Sequence, residues 1–278
     1  MDASVGDVAA VVALKTVTYA KSRLGTLPDP LRRRLAWTMA VDTLVALGEA
    51  VATVLVVSDQ PALASRLARA GARVQVVGDA GAVGLNDALR RGARLMNEAG
   101  YPTVLGCVGD LPALRPASVA TVLAAAPDGG RAFLADASGV GTTMLMARGV
   151  PLDPHFSGRS AAAHATSGAL ALSDDRLGHP VPDARRDVDT EVDLGPAVDL
   201  GVGRATSALI DQETGVLGAY AVITTTSHQD DHGRPLAVTA GGHRLRLPSD
   251  SLDGLRPLRS GQRLHAVHAR GVVLSAWL

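Results

Sequence analysis

Thr103-Val-Leu-Gly-Cys-Val-Gly-Asp110-Leu-Pro112 is the stretch on which the fold turns. Its apolar residues run on without alternation, as in strands covered on both faces, and the run stops at a glycine, a carboxylate and a proline. A carboxylate at the end of a parallel strand points into the ligand crevice of an α/β sheet, and a glycine before it lets backbone and ligand approach closely. Outward from this stretch the pattern repeats. Val8 to Leu14, Thr53 to Val57 and Arg73 to Val77 read as strands; Pro28 to Leu47, Pro61 to Ala70, Asn86 to Ala99 and Ala117 to Ala125 read as helices. Strands alternating with helices predict an α/β, Rossmann-like, mostly parallel sheet with helices on both faces.

After about residue 130 the regularity loosens. Two more strands, Arg131 to Ala135 and Thr142 to Ala147, flank Asp136-Ala-Ser-Gly-Val-Gly141. An irregular loop from Pro151 to Ser160 leads to a short helix from Arg159 to Thr166, and Asp187-Val-Asp-Thr190 leads into a last helical segment. The character changes again near Gly215. Five short β-like stretches follow: 221–225, 235–239, 243–247, 262–269 and 272–277. They predict a small C-terminal five-stranded β-barrel, giving an α/β domain over 1–214 and a barrel over 215–278.

Composition narrows the chemistry. Hydrophobic residues make up 47% and aromatics only 3%, so the core is built from Ala, Val and Leu. The net charge is zero, which gives no global field towards nucleic acid or an anionic membrane. The single cysteine, Cys107, excludes an internal disulfide framework and fits a reducing cytoplasm. The first apolar run is too short for a membrane span, and acidic residues precede it where a signal peptide would be basic. Lysine occurs only as Lys15 and Lys21, both in the segment after the first strand; every other basic residue is arginine. Where arginine serves for generic cations, two retained lysines point to places that need a compact ammonium.

Asp110 and the pair Asp187 and Asp189 form two acidic sites far apart in the chain. Asp110 fits a Mg²⁺ ligand or a turn residue. In an extended Asp187-Val188-Asp189 both carboxylates share one side, although Asp189-Thr-Glu-Val-Asp193 also has the form of a helix start. Cations beside one strand and two acidic sites suit phosphoryl or nucleotidyl transfer. No Gly-x-x-x-x-Gly-Lys-[Ser/Thr] is present, and Gly139-Val-Gly141 and Gly201-Val-Gly203 do not extend to a dinucleotide fingerprint.

Leu14-Lys15…Ala20-Lys21-Ser-Arg23-Leu24, Gly84-Leu-Asn86-Asp-Ala-Leu89, Gly109-Asp110-Leu-Pro112, Phe156-Ser-Gly-Arg-Ser160-Ala-Ala-Ala-His164 and Asp187-Val-Asp189-Thr190 occur in this order. The series resembles the 2-phospho-L-lactate/phosphoenolpyruvate guanylyltransferases of coenzyme F420 biosynthesis, relatives of the molybdopterin guanylyltransferases, over roughly residues 8 to 210. The resemblance implies transfer of GMP from GTP to a three-carbon phospho-acid with release of pyrophosphate. It implies Lys15, Lys21 and Arg23 on the GTP phosphates, with Lys21, Arg23 and Asp110 catalytic. It implies Mg²⁺ on Asp110 and Asp189 with Asp187 as neighbour, and Ser58, Asp59 and Asn86 on guanine or ribose. The acceptor is expected between Thr142, Thr143 and the loop of Ser157, Gly158 and Ser160. That loop departs from the family's Phe-Gly-x-Gly-Ser, so Ser157 must do with its backbone what a glycine would, and Arg159 adds a cation. The arginine-rich make-up leans towards phosphoenolpyruvate over 2-phospho-L-lactate. A related enzyme with a sugar-phosphate or molybdopterin acceptor, and an inactive nucleotide- or RNA-binding module, are the alternatives. The tail has few stacking aromatics and its five histidines lack convergent spacing, so an oligomerisation or structural role is expected of it rather than RNA or metal binding.

Overall fold

The computed structural model describes residues 7–14, 29–60, 62–213, 219–230, 235–239, 242, 244–248, 252, 258–269 and 272–277. The chain divides into two compact units, residues 1–193 with 197–207, and residues 194–196 with 208–278.

The first unit is built on a seven-stranded sheet of order β3-β2-β1-β4-β6-β5-β7. Its strands β1 (Val8–Ala13), β2 (Thr53–Ser58), β3 (Gln75–Gly78) and β4 (Thr103–Cys107) pair in parallel. Strand β6 (Thr142–Arg148) runs antiparallel to β4 and to β5 (Gly130–Ala135), and β7 (Leu170–Ala171) lies parallel beside β5. Alternate residues of β1 serve opposite faces, as the period of a strand requires. Val8, Ala10 and Val12 pack with Leu44 and Leu47 of α1 (Asp29–Ala50) and Val119 of α4 (Pro116–Ala124). Ala9 and Val11 pack with Leu89 and Ala93 of α3 (Gly84–Glu98) and with Phe156. The contact of α3 with the sheet is close at Gly92, where a Cβ would run into Val11 and lie 3.0 Å from Val57.

From β1 the chain winds through α1, β2, α2 (Leu63–Arg69) and β3 on one side, then returns to place β4 on the other side of β1. The direction of winding therefore reverses between β1 and β4, and sheets of this kind take their ligands beyond the carboxyl ends of the strands at such a point. The remaining helices are α5 (Ser160–Thr166), α6 (Asp174–Leu177), α7 (Pro182–Arg185), α8 (Glu191–Leu200) and α9 (Arg204–Gln212). With four residues each, α6 and α7 are too short to show a hydrophobic period, and neither they nor the two-residue β7 is among the expected elements.

The second unit contains a closed barrel of order β10-β12-β11-β8-β9. Its strands are β8 (Ala219–Gln229), β9 (Pro235–Thr239), β10 (Arg244–Arg246), β11 (Arg263–Ala269) and β12 (Val272–Trp277). Ile223, Leu245, Leu264 and Val273 fill its interior. Strand β8 is longer than the expected 221–225 because it continues through an irregularity between Thr225 and Gln229 while still pairing with β9.

Candidate active site

The two acidic segments meet at the carboxyl end of β4. The N–H of Val188 donates to the carbonyl of Asp110 at 3.1 Å, so residues 187–189 run alongside the turn that follows the strand. Val188 is fully buried whereas Asp187 and Asp189 are half-buried, the alternation of an extended segment with both carboxylates on the same side. Helix capping falls to other residues. Thr190 is the N-cap of α8, and Asp193 closes a capping box by accepting from the Thr190 N–H and hydroxyl, both at 2.8 Å. Asp189 stands before the cap, and its N–H is also held by Asp193 at 3.2 Å.

The Asp110 turn is pinned from several directions. The Leu111 N–H donates to Thr43 Oγ1 at 3.0 Å, and that hydroxyl donates to the Met39 carbonyl at 2.8 Å. Gly203 N–H donates to the Pro112 carbonyl at 2.7 Å, while Asp42 accepts from the N–H groups of Ala205 and Thr206. Burial, then the nearby Asp110 carboxylate, pushes the Cys107 thiol well above its ordinary range. Among the described residues no three His, Cys, Asp or Glu side chains gather to hold a metal. Carboxylates on two hydrogen-bonded backbone segments fit instead an ion such as Mg²⁺, which takes one or two carboxylates and leaves its other positions to phosphate oxygens and water.

Lys15, Lys21 and Arg23 lie outside the described residues. Leu14, which precedes them, is held by its N–H on the Val57 carbonyl at 3.0 Å. A Cβ on Gly109 would lie 2.7 Å from the end of the Leu14 side chain, which would have to turn aside for a larger residue. Ser58, buried at the end of β2, accepts from the Gln60 N–H at 3.2 Å, and Asp59 beside it is exposed. Asn86, expected on guanine or ribose, makes a pair of bonds within the chain. Its side chain donates to the Phe156 carbonyl at 2.9 Å and accepts from the Phe156 N–H at 2.8 Å, which ties the start of α3 to the loop before α5.

That loop is held at both ends. Ala161 N–H donates to the Val140 carbonyl at 3.1 Å, and the 136–141 turn that supplies it is organised by Asp136, which accepts from the N–H groups of Val140 and Gly141. Between the pins, Ser157 has φ +144° and Gly158 φ +51°. Ser157 thus occupies backbone space that favours glycine. Ser157, Gly158 and Arg159 are exposed, and Ser160 is buried. Thr143 is fully buried and donates to the Ala184 carbonyl at 2.7 Å, which ties β6 to α7. Thr142 lies 3.0 Å from Nδ1 of His164. Neither Thr143's internal bond nor the role of His164 has a sequence signal; the motif series contained the histidine but gave no reason to single it out.

A separate cleft of about 760 Å³ follows the outer flank of α3 and holds none of these residues. Its four arginines are opposed by three aspartates, and Arg90 with Asp87 is already ion-paired at 2.8 Å, so the cleft has no strong net field.

The winding of the sheet, with an acidic turn at its reversal point, defines a Rossmann-like α/β protein whose ligand side lies at that reversal. A solved structure from Desulfovibrio desulfuricans, provisionally described as a nucleotide-diphospho-sugar transferase, shares this fold. It has a TM-score of 0.59 and 15% identity over 76% of this chain and 97% of its own. No protein-family model matches the chain. A relative from Salinispora arenicola named phosphoenolpyruvate guanylyltransferase is 51% identical over 205 residues, 72% of this chain and 91% of its own length. One of the same name from Frankia casuarinae is 39% identical over 277 aligned residues, 87% of this chain and 91% of its own. The chain belongs to the phosphoenolpyruvate guanylyltransferase family.

Proposed function

We propose that this protein transfers GMP from GTP to the phosphate of phosphoenolpyruvate and releases pyrophosphate. The observation that carries the reading is the bond from Val188 N–H to the Asp110 carbonyl, which sets the two acidic segments side by side at the reversal point of the sheet. The name shared by the relatives supports the acceptor, because phosphoenolpyruvate guanylyltransferase is what each of those proteins is named.

The chemistry asks little of a proton-transfer group. A phosphate monoester is anionic near neutral pH, so its oxygen attacks the α-phosphorus without a general base and pyrophosphate leaves in line. The barrier is the repulsion between two polyanions and the need to hold them in register. Asp110 and Asp189, with Asp187 beside them, would hold Mg²⁺, whose charge offsets that of the nucleotide and acceptor phosphates. Lys15, Lys21 and Arg23 would neutralise the triphosphate, and Ser58 and Asp59 would border the nucleoside. Thr142 and the backbone of Ser157 to Ser160 would receive the three-carbon acid, while Asn86 holds that loop in place. No helix among the described residues is long and apolar enough to cross a membrane. Together with the buried free thiol of Cys107, this supports a cytoplasmic setting.

The test is to incubate the protein with GTP and Mg²⁺ and, in turn, phosphoenolpyruvate and 2-phospho-L-lactate, and to follow pyrophosphate. Release with phosphoenolpyruvate is expected. Release only with 2-phospho-L-lactate would move the acceptor within the family, and no release with either would overturn the reading.

A further inference from the structure

The imidazole of His164 is the best-held polar group of the acceptor side. It is fully buried, and both phenylalanines of the chain pack on it: Phe156 edge-on with centroids 5.1 Å apart and Phe133 tilted at 5.8 Å. Each ring nitrogen has a partner, and the Ser160 carbonyl also acts on the ring. The backbone N–H of His155 donates to Nε2 at 2.9 Å, and Nδ1 meets Thr142 Oγ1 at 3.0 Å.

These two bonds assign the tautomer. An amide N–H can only donate, so Nε2 must be the lone-pair nitrogen and the ring proton of the neutral imidazole sits on Nδ1. Nδ1–H then donates to Thr142, which takes up a lone pair of Oγ1. The hydroxyl proton of Thr142 is left pointing away from the ring, free to donate elsewhere. The ring is kept neutral, with its pKa lowered to about 4 by burial first and the neighbouring His155 second; Asp153 and the Ser160 carbonyl act against this and Arg131 with it. One imidazole therefore fixes both a hydroxyl on β6 and the backbone one residue before Phe156.

We propose that His164 is a positioning residue for the acceptor: through Nδ1–H it turns Thr142 into a hydrogen-bond donor towards an oxygen of the phospho-acid, and through Nε2 it sets the 155–157 backbone against the same ligand. The inference rests on the acceptor side of the proposed function. A purely structural imidazole would support folding and leave the balance between the two substrates alone.

The experiment uses the full chain and steady-state pyrophosphate release, measuring KM for GTP and for phosphoenolpyruvate separately. His164→Gln keeps an acceptor for the His155 N–H and loses the donor to Thr142; His164→Asn does the reverse. Loss of one oriented hydrogen bond predicts a rise of about ten-fold in the phosphoenolpyruvate KM for His164→Gln, an unchanged GTP KM, and partial recovery in His164→Asn. Thr142→Val should show the same split, and His164→Gln should add little in the Thr142→Val background because both act through one hydroxyl. Thr142→Val also serves as the deciding variant if the histidine variants do not fold. The ring ¹⁵N shifts of the free protein give an independent readout, with Nδ1 protonated at neutral pH. An Nε2–H tautomer, equal changes in both KM values, or an unchanged phosphoenolpyruvate KM in Thr142→Val would overturn the inference in a protein that turns over. Wild-type protein that makes no pyrophosphate yet carries the Nδ1 proton would instead remove the functional reading beneath it.

Discussion

Replacing Ser157 by glycine should stabilise the protein. At φ +144° the serine side chain is carried in a region that side-chain-bearing residues rarely enter, a strain of about 1–3 kcal/mol. Glycine removes that strain and gives back about 0.5–1 kcal/mol through the greater freedom of its unfolded chain. The net expectation is about 0.5–2 kcal/mol of added stability. At a urea dependence of about 2 kcal/mol per molar this moves the unfolding midpoint up by roughly 0.3–1 M, readable by far-ultraviolet circular dichroism. Ser157→Ala is the control: alanine carries the same Cβ and should gain nothing. The backbone angle is imposed by the pins around it, Asn86 on Phe156 and Val140 on Ala161. Asn86→Ala should therefore shrink the glycine gain, since a released loop can relax. A glycine variant no more stable than wild type, or an alanine variant that gains equally, would refute the reasoning.

Asp110→Asn and Asp189→Asn should each lower pyrophosphate release by about 10²-fold or more with little change in the urea midpoint, as expected for groups that handle charge in the transition state; a variant retaining a third of wild-type turnover would remove that residue from the site. Stability should fall on acidification through His164. Its native pKa of about 4 lies below the unfolded value of 6.5, so above pH 6.5 both states are neutral, between pH 6.5 and 4 the unfolded chain takes up a proton that the native one refuses, and below pH 4 the loss is complete. Between pH 7 and 5 this amounts to about 2 kcal/mol, which His164→Gln should not lose; identical pH slopes for the two proteins would contradict it. Cys107, buried and with its thiol pushed up, should not react with thiol reagents under native conditions and should react in urea; rapid native labelling would show that β4 is not covered as described.

The sheet was legible because β1, β2 and β4 are apolar runs, the last two closed by Ser58-Asp59 and Gly109-Asp110, and because α1 and α3 carry regular apolar spacing. Asp110, Asp187 and Asp189 could be named from sequence, but their convergence depends on a backbone bond between residues far apart, and spacing encodes no such bond. The capping alternative for Asp189 resolves onto Thr190 and Asp193 only once the extended path of 187–190 is seen. Asn86 was named for guanine or ribose, and its paired bonds to the Phe156 backbone, seventy residues away, are a partnership that only the fold makes visible. The bond of Thr143 to Ala184 was hidden because α7 has no period to announce it. Lys15, Lys21 and Arg23, which the composition singled out first, remain assignments of sequence and resemblance alone.

The bond between Val188 and Asp110 also sets an order of events during synthesis. Strands β1 to β4 and the helices between them have all been made once residue 107 has emerged. The second acidic segment arrives some eighty residues later, after the β5–β6 hairpin and three short helices have been laid down. A nascent chain can thus carry a finished sheet and a closed core while it still has only half of its acidic pair. The juxtaposition of the two acidic segments is withheld until almost the whole first unit has been made.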